Sequence, residues 1–360
     1  MEFDCGEQCG AGSVGRLVRL EEAEGLVLAH DVTEIVPGRS KGPAFRKGHV
    51  VAAGDLGRLA RMGKNHLYVL EIGPEEVHED EAAVRLARAL AGEGVEPAGP
   101  PREGKVTLAA GREGLLRVDR RGLVAFNLVP EVMCATIHGE VVVRRGQAVG
   151  GTRAIPLVAS RANLERAEVL AARKGGLLRV EPLARLSAGV VVTGDEVAGG
   201  LIEDRFAPVV TAKLEALGSR VLGVSLAPDD RAAVARAIRS QAERGAELII
   251  TTAGMSVDPD DVTRLGVADA GARVVSYGAP VLPGAMFLYA ELEAAGRVVP
   301  VLGVPACALF HQVTILDLVL PRVLAGESLA PEAMAELAYG GYCQGCAEGC
   351  RFPACGFGRS

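Results

Sequence analysis

The chain has 360 residues, a formal net charge of -6, 23% charged and 49% hydrophobic residues, no Trp and only 4% aromatics. That length predicts two or three domains with aliphatic cores, and the acidic balance excludes a broad basic surface for nucleic acid. No run approaches the roughly 20 apolar residues that span a bilayer. The acidic opening MEFDCGEQCG does not read as a secretory signal, so a cytoplasmic protein without membrane contact is expected.

Residues 1–94 read as a mixed α/β accessory region. A Gly-rich lead-in holds Cys5 and Cys9, four apart, which could supply half a metal site. LVRL reads as a strand, EEAEG as a helical turn and LVLAHDVTEIV as a second strand. Asp55 is expected to cap a short helix, and HLYVLEI to return as a strand. Arg39, Lys41, Arg46 and Lys47 cluster on Gly/Pro-bounded loops, where they suit a solvated turn or an anion such as phosphate or molybdate. Glu79–Leu90 has acids first and arginines later, matching the helix dipole. His78, Glu79, Asp80 and Glu81 read as a solvated first turn in preference to a metal site. Val95–Lys105 reads as a linker from its Pro and Gly content.

Residues 105–183 read as a β-rich subdomain and a bridging helix. Short alternating runs between Gly-bounded turns predict strands, including GLVAFNLV at 122–129. Cys134 and His138 are expected to be buried in that β core, and Ser160 to cap the helix.

From 184 to 330 strands alternate with helical patterns of 12–16 residues. This predicts βαβ crossovers and a three-layer α/β/α fold around a mostly parallel sheet. The short connection at Glu293 to Arg297 permits only an antiparallel pair, so the sheet is mixed. Three of its strands end in unusual loops: Thr193-Gly194-Asp195-Glu196, then Thr251-Thr252-Ala253-Gly254-Met255-Ser256 continuing to Asp261, then Leu302-Gly303-Val304-Pro305-Ala306 running into a helix. If the strands are parallel, all three loops share one carboxyl edge and face one crevice. Backbone N–H groups near Gly254, Met255 and Ser256, with the threonine hydroxyls, suit a phosphate. Asp195, Glu196, Asp258, Asp260 and Asp261 suit the N–H donors of a heterocycle or a divalent cation; helix capping is the plainer use of each aspartate. A phosphorylated, donor-rich ring such as a pterin would satisfy the whole set.

TGDE after one apolar strand, TTAGMSVDPDDV after another and LGVPA opening a helix resemble the molybdopterin-binding domain shared by molybdopterin adenylyltransferases and molybdenumtransferases. The resemblance covers roughly Ala184 to Leu324. It implies molybdopterin or adenylated molybdopterin as ligand, Mg²⁺, and a transferase acting late in molybdenum cofactor biosynthesis, with molybdate inserted into the adenylated pterin. Asp195, Asp258 and Asp261 would then be catalytic. Thr193, Gly194, Glu196, Thr251, Thr252, Gly254, Met255, Ser256, Gly303 and Pro305 would bind the cofactor. Relatives of this kind form homo-oligomers. Ala253 stands where the family has the first Gly of a pair, and the third loop lacks the family's Gly-Asn step. A non-catalytic molybdopterin carrier, chaperone or sensor is therefore the alternative, and a nucleotide hydrolase of the related competence-damage type is a third reading. The N-terminal half resembles the accessory domains of the molybdenumtransferase only loosely.

Residues 331–360 form a Cys-rich tail. Cys343, Cys346, Cys350 and Cys355, spaced C-x2-C-x3-C-x4-C in a Gly-rich segment, suit zinc or an iron–sulfur cluster. Such a tail could dock a partner, a molybdoenzyme among them, or sense redox state as free thiols.

Overall fold

The structure, a computed structural model, describes residues 16–36, 40–70, 72–255 and 262–358. Cys5, Cys9, Arg39, Ser256, Asp258, Asp260 and Asp261 lie outside the described residues, as does the side chain of Lys41.

Residues 16–70 build a small unit with its own core, around a three-stranded sheet in the order Arg16–Arg19, His66–Leu70, Val27–Leu28. The apolar run 26–36 is two strands, Val27–Leu28 and Val32–Val36, because the second leaves this sheet to pair with Ser40–Phe45. Asp55 is the third residue of helix Ala53–Arg61, not its cap; its carboxylate accepts from the Ala52 N–H at 3.0 Å.

A second core gathers residues from Val77 to Val180. Helix Glu79–Leu90 packs into it with Leu86 and Leu90 fully buried. Its cap is His78, whose Nδ1 accepts from Asp80 N–H at 3.3 Å, while Glu79 pairs with Arg153 at 3.1 Å. Val95–Pro97, inside the Pro/Gly-rich stretch, is an edge strand on Lys105–Ala110 instead of linker. Arg120–Asn127 is a helix where the apolar run at 122–129 suggests a strand. Asp119 caps it by accepting from Gly122 N–H at 2.9 Å, and Phe126 anchors it in the core. Cys134 is buried, which pushes its thiol up to about 12, whereas His138 is exposed.

The C-terminal unit is a six-stranded sheet. Its strands are β1 (Ser187–Thr193), β2 (Arg220–Ala227), β3 (Leu248–Thr252), β4 (Arg273–Tyr277), β5 (Leu288–Ala294) and β6 (Arg297–Val304), in the order β2-β1-β3-β6-β5-β4. β2, β1, β3 and β6 are mutually parallel, and the β6–β5 and β5–β4 pairs are antiparallel. Every residue of β1 and β3 is buried, the pattern of strands covered on both faces. Val190, Val192 and Ile250 meet α1 (Phe206–Ala216) and α4 (Ile315–Leu324) on one face. Val191 and Ile249 meet α2 (Arg231–Glu243) and α3 (Thr263–Asp269) on the other. Period-two alternation thus divides two cores between adjacent residues and yields three layers.

After β6 the chain makes only a four-residue 3₁₀ turn, Ala306–Leu309, and the helix starts at Ile315. The determinant is Thr314, whose Oγ1 accepts from Leu316 N–H at 3.3 Å while Asp317 accepts from Thr314 N–H at 2.7 Å. No helix of the described residues is long and apolar enough to cross a membrane.

The last two units meet through buried charge. Arg117, its side chain 17% exposed, donates to Glu181 and Glu327, both at 2.7 Å, and also pairs with Glu140. Arg322 donates to Glu327 at 3.0 Å through Nε. Burial pushes the Glu140 carboxyl up against the pull of Arg117 and Arg322. Burial acts on Glu327 too, but hydrogen bonds from Arg322 and Arg117 hold it below the usual range. Arg117→Met should take the nearest cation from Glu140 and Glu181, leave Glu327 on Arg322, and lower stability by about 3–5 kcal/mol in urea unfolding; a loss under about 1 kcal/mol would mean that water screens the cluster. The pH signs of the two acids are opposite. Glu327 stabilises above the ordinary glutamate pKa, and this is lost as pH falls through its lowered value. Glu140 favours the fold while protonated, and this is lost as pH rises through its raised value. Glu140→Gln should therefore gain on the parent protein with rising pH in a series of urea midpoints; a pH-independent difference would refute the assignment.

Candidate functional site

The site is built by strand register. Val192 of β1 is level with Thr252 of β3, and Thr252 with Val304 of β6, so three loops leave one row of the sheet. With strands about 4.8 Å apart, their roots span roughly 10 Å. From β1 the chain crosses to β2 on one side and then returns to β3 on the other. The carboxyl ends of β1 and β3 therefore flank the topological switch point, where an open α/β sheet leaves a crevice.

Thr193 spends its hydroxyl inside the protein. Oγ1 donates to Thr252 O at 2.8 Å and lies 2.9 Å from Thr263 Oγ1, tying β1, β3 and α3 together at 2% exposure. Gly194 follows at φ 142°, in a region that favours glycine. Asp195 and Glu196 are exposed and open a four-residue helical turn, Asp195–Ala198. Asp195 is engaged with Asp229: its N–H donates to Asp229 Oδ2 at 3.2 Å, and Asp229 N–H donates to Asp195 Oδ1 at 3.0 Å. This reciprocal pair fastens the first loop to the loop after β2, next to Asp230, which caps α2. Asp229 brings a second carboxylate to the crevice edge. Its sequence signal, an Asp-Asp pair straight after a parallel strand, reads more simply as a helix start.

The second loop turns on two left-handed residues, Ala253 at φ 64° and Gly254 at φ 58°. A Cβ on Gly254 would stand 2.2 Å from Thr263 Oγ1, so glycine is required there. Ala253 carries the steric cost of that region, about 1–2 kcal/mol, at the position where a glycine would remove it. Thr251 and Thr252 are fully buried, and neither hydroxyl has a hydrogen-bond partner among the described residues. Each such orphan costs about 1–3 kcal/mol. Adjacent strand residues face opposite ways. Thr252 lies on the α1/α4 side and Thr251 on the α2/α3 side, so one ligand oxygen cannot use both.

Met255 and Gly303 interlock. A Cβ on Gly303 would lie 2.3 Å from Met255 Cε, so glycine leaves the notch on β6, beside Leu288 of β5, that the 2%-exposed Met255 fills. Tyr277 OH donates to Met255 O at 2.7 Å, and the Arg264 guanidinium sits 4.9 Å from the Tyr277 ring centre. Pro305 is buried where β6 ends, and its carbonyl accepts from Ala308 N–H at 3.1 Å. The third loop therefore offers a short turn at this edge, without the helix N-terminus that the sequence suggests.

The tail lies on the C-terminal core. Cys343 N–H donates to Leu282 O at 2.8 Å, and Cys343, Cys355 and Phe352 pack half-buried on the same cluster as buried Phe357. Cys346 is half-buried and Cys350 exposed. Among the described residues no three His, Cys, Asp or Glu side chains stand together as metal ligands. The four tail thiols are therefore not gathered around a zinc or cluster centre, and Asp195, Glu196 and Asp229 do not by themselves form a Mg²⁺ site.

Residues 189–325 match a family model described as a probable molybdopterin binding domain, and residues 17–71 match a domain of unknown function, DUF8806. The chain is 36% identical over 76 residues to the CinA-like protein of Mycobacterium tuberculosis and, over the same length, to that of Mycobacterium leprae. These alignments cover 21% of this chain and 18% of each relative, so the chain spans about a fifth of the length of the curated relatives it matches. Among solved structures it is similar to the tungsten cofactor synthesizing protein MoaB of Pyrococcus furiosus, at 19% identity and TM-score 0.33, over 39% of this chain and 96% of that one. It is also similar to CinA of Thermoplasma acidophilum, at 17% identity and TM-score 0.28, over 33% of this chain and 88% of that one.

The strain assignment has paired consequences. Ala253→Gly should raise stability by about 0.5–1 kcal/mol, and Gly254→Ala should lower it by at least that much, both read from urea midpoints. Equal effects of one sign would contradict the geometry.

Proposed function

We propose that the crevice between the loops after β1, β3 and β6 binds molybdopterin or its adenylated form, and that the protein serves molybdenum cofactor biosynthesis. The supporting observation is the coincidence of two facts: the family match over residues 189–325, and the parallel register that draws Thr193, Thr252 and Val304 to one edge at the switch point. The unpartnered Thr252 hydroxyl, the last residue of β3, and the Gly254 turn suit a phosphate at the crevice floor. Asp195 and Asp229 suit donors of a pterin ring. Asp258 and Asp261, with Ser256, belong to the same proposal as contributors to metal and pterin handling. Oligomerisation, and a molybdoenzyme as recipient, are further parts of it.

Two activities follow from this site. One is transfer, with Mg²⁺ and molybdate converting adenylated molybdopterin to the molybdenum cofactor. The other is binding without turnover, favoured by the use of Asp195 as a brace to Asp229. Incubation with adenylated molybdopterin, Mg²⁺ and molybdate should release AMP if the protein is the transferase. Stable binding without AMP release assigns the carrier role, and absence of binding rejects both.

Zinc or an iron–sulfur cluster on Cys343, Cys346, Cys350 and Cys355 would require the tail to rearrange, because the thiols are not assembled. Metal analysis decides it: near-stoichiometric zinc or iron that is lost in Cys343→Ser/Cys346→Ser supports the site, and equal content in both proteins removes it.

A further inference from the structure

Phenylalanine is used sparingly in this chain, and among the described residues one ring is placed differently from the rest. Phe45, Phe126, Phe206, Phe287 and Phe357 are 9% exposed or less, and Phe352 is half-buried, but Phe310 is 81% exposed. Among the described residues its ring meets no other aromatic ring and no cation.

Phe310 is not on a loose segment. It directly follows the turn Ala306–Leu309 at the carboxyl end of β6, and its N–H donates to Cys307 O at 3.1 Å. Ala308, Leu309 and Val313 pack inward on the α1/α4 core. Lys213 of α1 clamps the loop from outside, donating to Gln312 O at 2.9 Å and to Asp317 at 2.5 Å. The backbone is therefore braced on both sides of an aromatic ring left in water.

The opposite flank has a matching feature. Leu201 and Ile202, 79% and 57% exposed, sit on the loop after β1, where both N–H groups donate to Glu196 O while Val197 turns into the same core as Leu309. β1 and β6 are the two neighbours of β3, so exposed apolar side chains stand on either side of the second loop. Singly exposed apolar side chains are ordinary, but three on the two flanks of one loop offer a contact surface to whatever enters between them. A braced aromatic is suited to a flat partner, since stacking uses the ring face and few rotamers need freezing.

Building on the molybdopterin reading above, we propose that Phe310 stacks on the ligand's flat heterocycle, between the loops after β3 and β6, while the Gly254 turn and the Thr252 hydroxyl take its phosphate. The crevice then selects a phosphorylated ring system over a phosphorylated sugar of similar charge. Phe310 positions the ring and takes no part in proton or group transfer.

Neopterin monophosphate, which joins a pterin ring to a phosphate, is the probe. Its fluorescence can be followed without interference because the chain has no Trp. Titration of the full-length protein should quench the probe saturably. Phe310→Ala should weaken the dissociation constant about tenfold and reduce the quenching, while Phe310→Tyr restores both. Tyr339→Ala, which removes a 77%-exposed ring beside Leu318 and Arg322, should match the parent protein. Inorganic phosphate should displace the probe from parent and Phe310→Ala alike. If the parent binds and Phe310→Ala binds equally well, the stacking role is wrong and the crevice reading stands. If the parent does not bind the probe, both fall.

Discussion

The parallel register of β1, β3 and β6 is the constraint on which the rest of the site depends. Because Val192, Thr252 and Val304 are level, three loops far apart in sequence emerge within roughly 10 Å. The reversal of strand order at β1 leaves room above them. A slip of one residue in any of these strands would turn its buried side chains to the opposite core. Val191 and Val192 are committed to different faces, so the hydrophobic effect fixes the loops as firmly as any contact among them.

Much of the chemistry-bearing sequence also serves this scaffold. Thr193 ties β1 to β3 and α3, Asp195 is braced to Asp229, and Met255 fills the notch left by Gly303. Residues that resemble a ligand-binding motif are thus partly explained by the packing that shapes the crevice. What packing leaves over is more informative about ligand. At the root of the second loop the Thr251 and Thr252 hydroxyls lack partners among the described residues, a left-handed alanine is kept where glycine would relieve strain, and a braced phenylalanine stands in water. The orphaned hydroxyls and the left-handed alanine cost stability, and the exposed phenylalanine adds none, which is the pattern of a site kept for what it binds.

The three-layer unit was legible in the sequence because its signals are strong and local. LIITT and GVVVT are too apolar for a half-exposed strand, and the helices between them carry caps and periodicity. The errors have physical causes. GLVAFNLV reads as a strand from its apolar run, yet the Asp119 cap and a single buried anchor, Phe126, make it helical. LGVPA suggests a helix at Ala306, but the Thr314–Asp317 capping box, eight residues on, sets the true start. The Pro-rich stretch at 95 hides a strand because an edge position tolerates proline. At the site, sequence identifies the loops but not how each side chain is used. No local pattern announces that Asp229 will face Asp195, or that Cys343 and Cys355 will pack on the C-terminal core.

The central claim is that the crevice at the carboxyl ends of β1, β3 and β6 holds a phosphorylated pterin. An experimental structure with molybdopterin bound tests it most directly. Ligand density is expected between residues 193–198, 251–255 and 302–310, with the phosphate toward Gly254 and the ring against Phe310. Density at the junction of the last two units, beside Arg117 and Arg322, with the crevice empty, would contradict it.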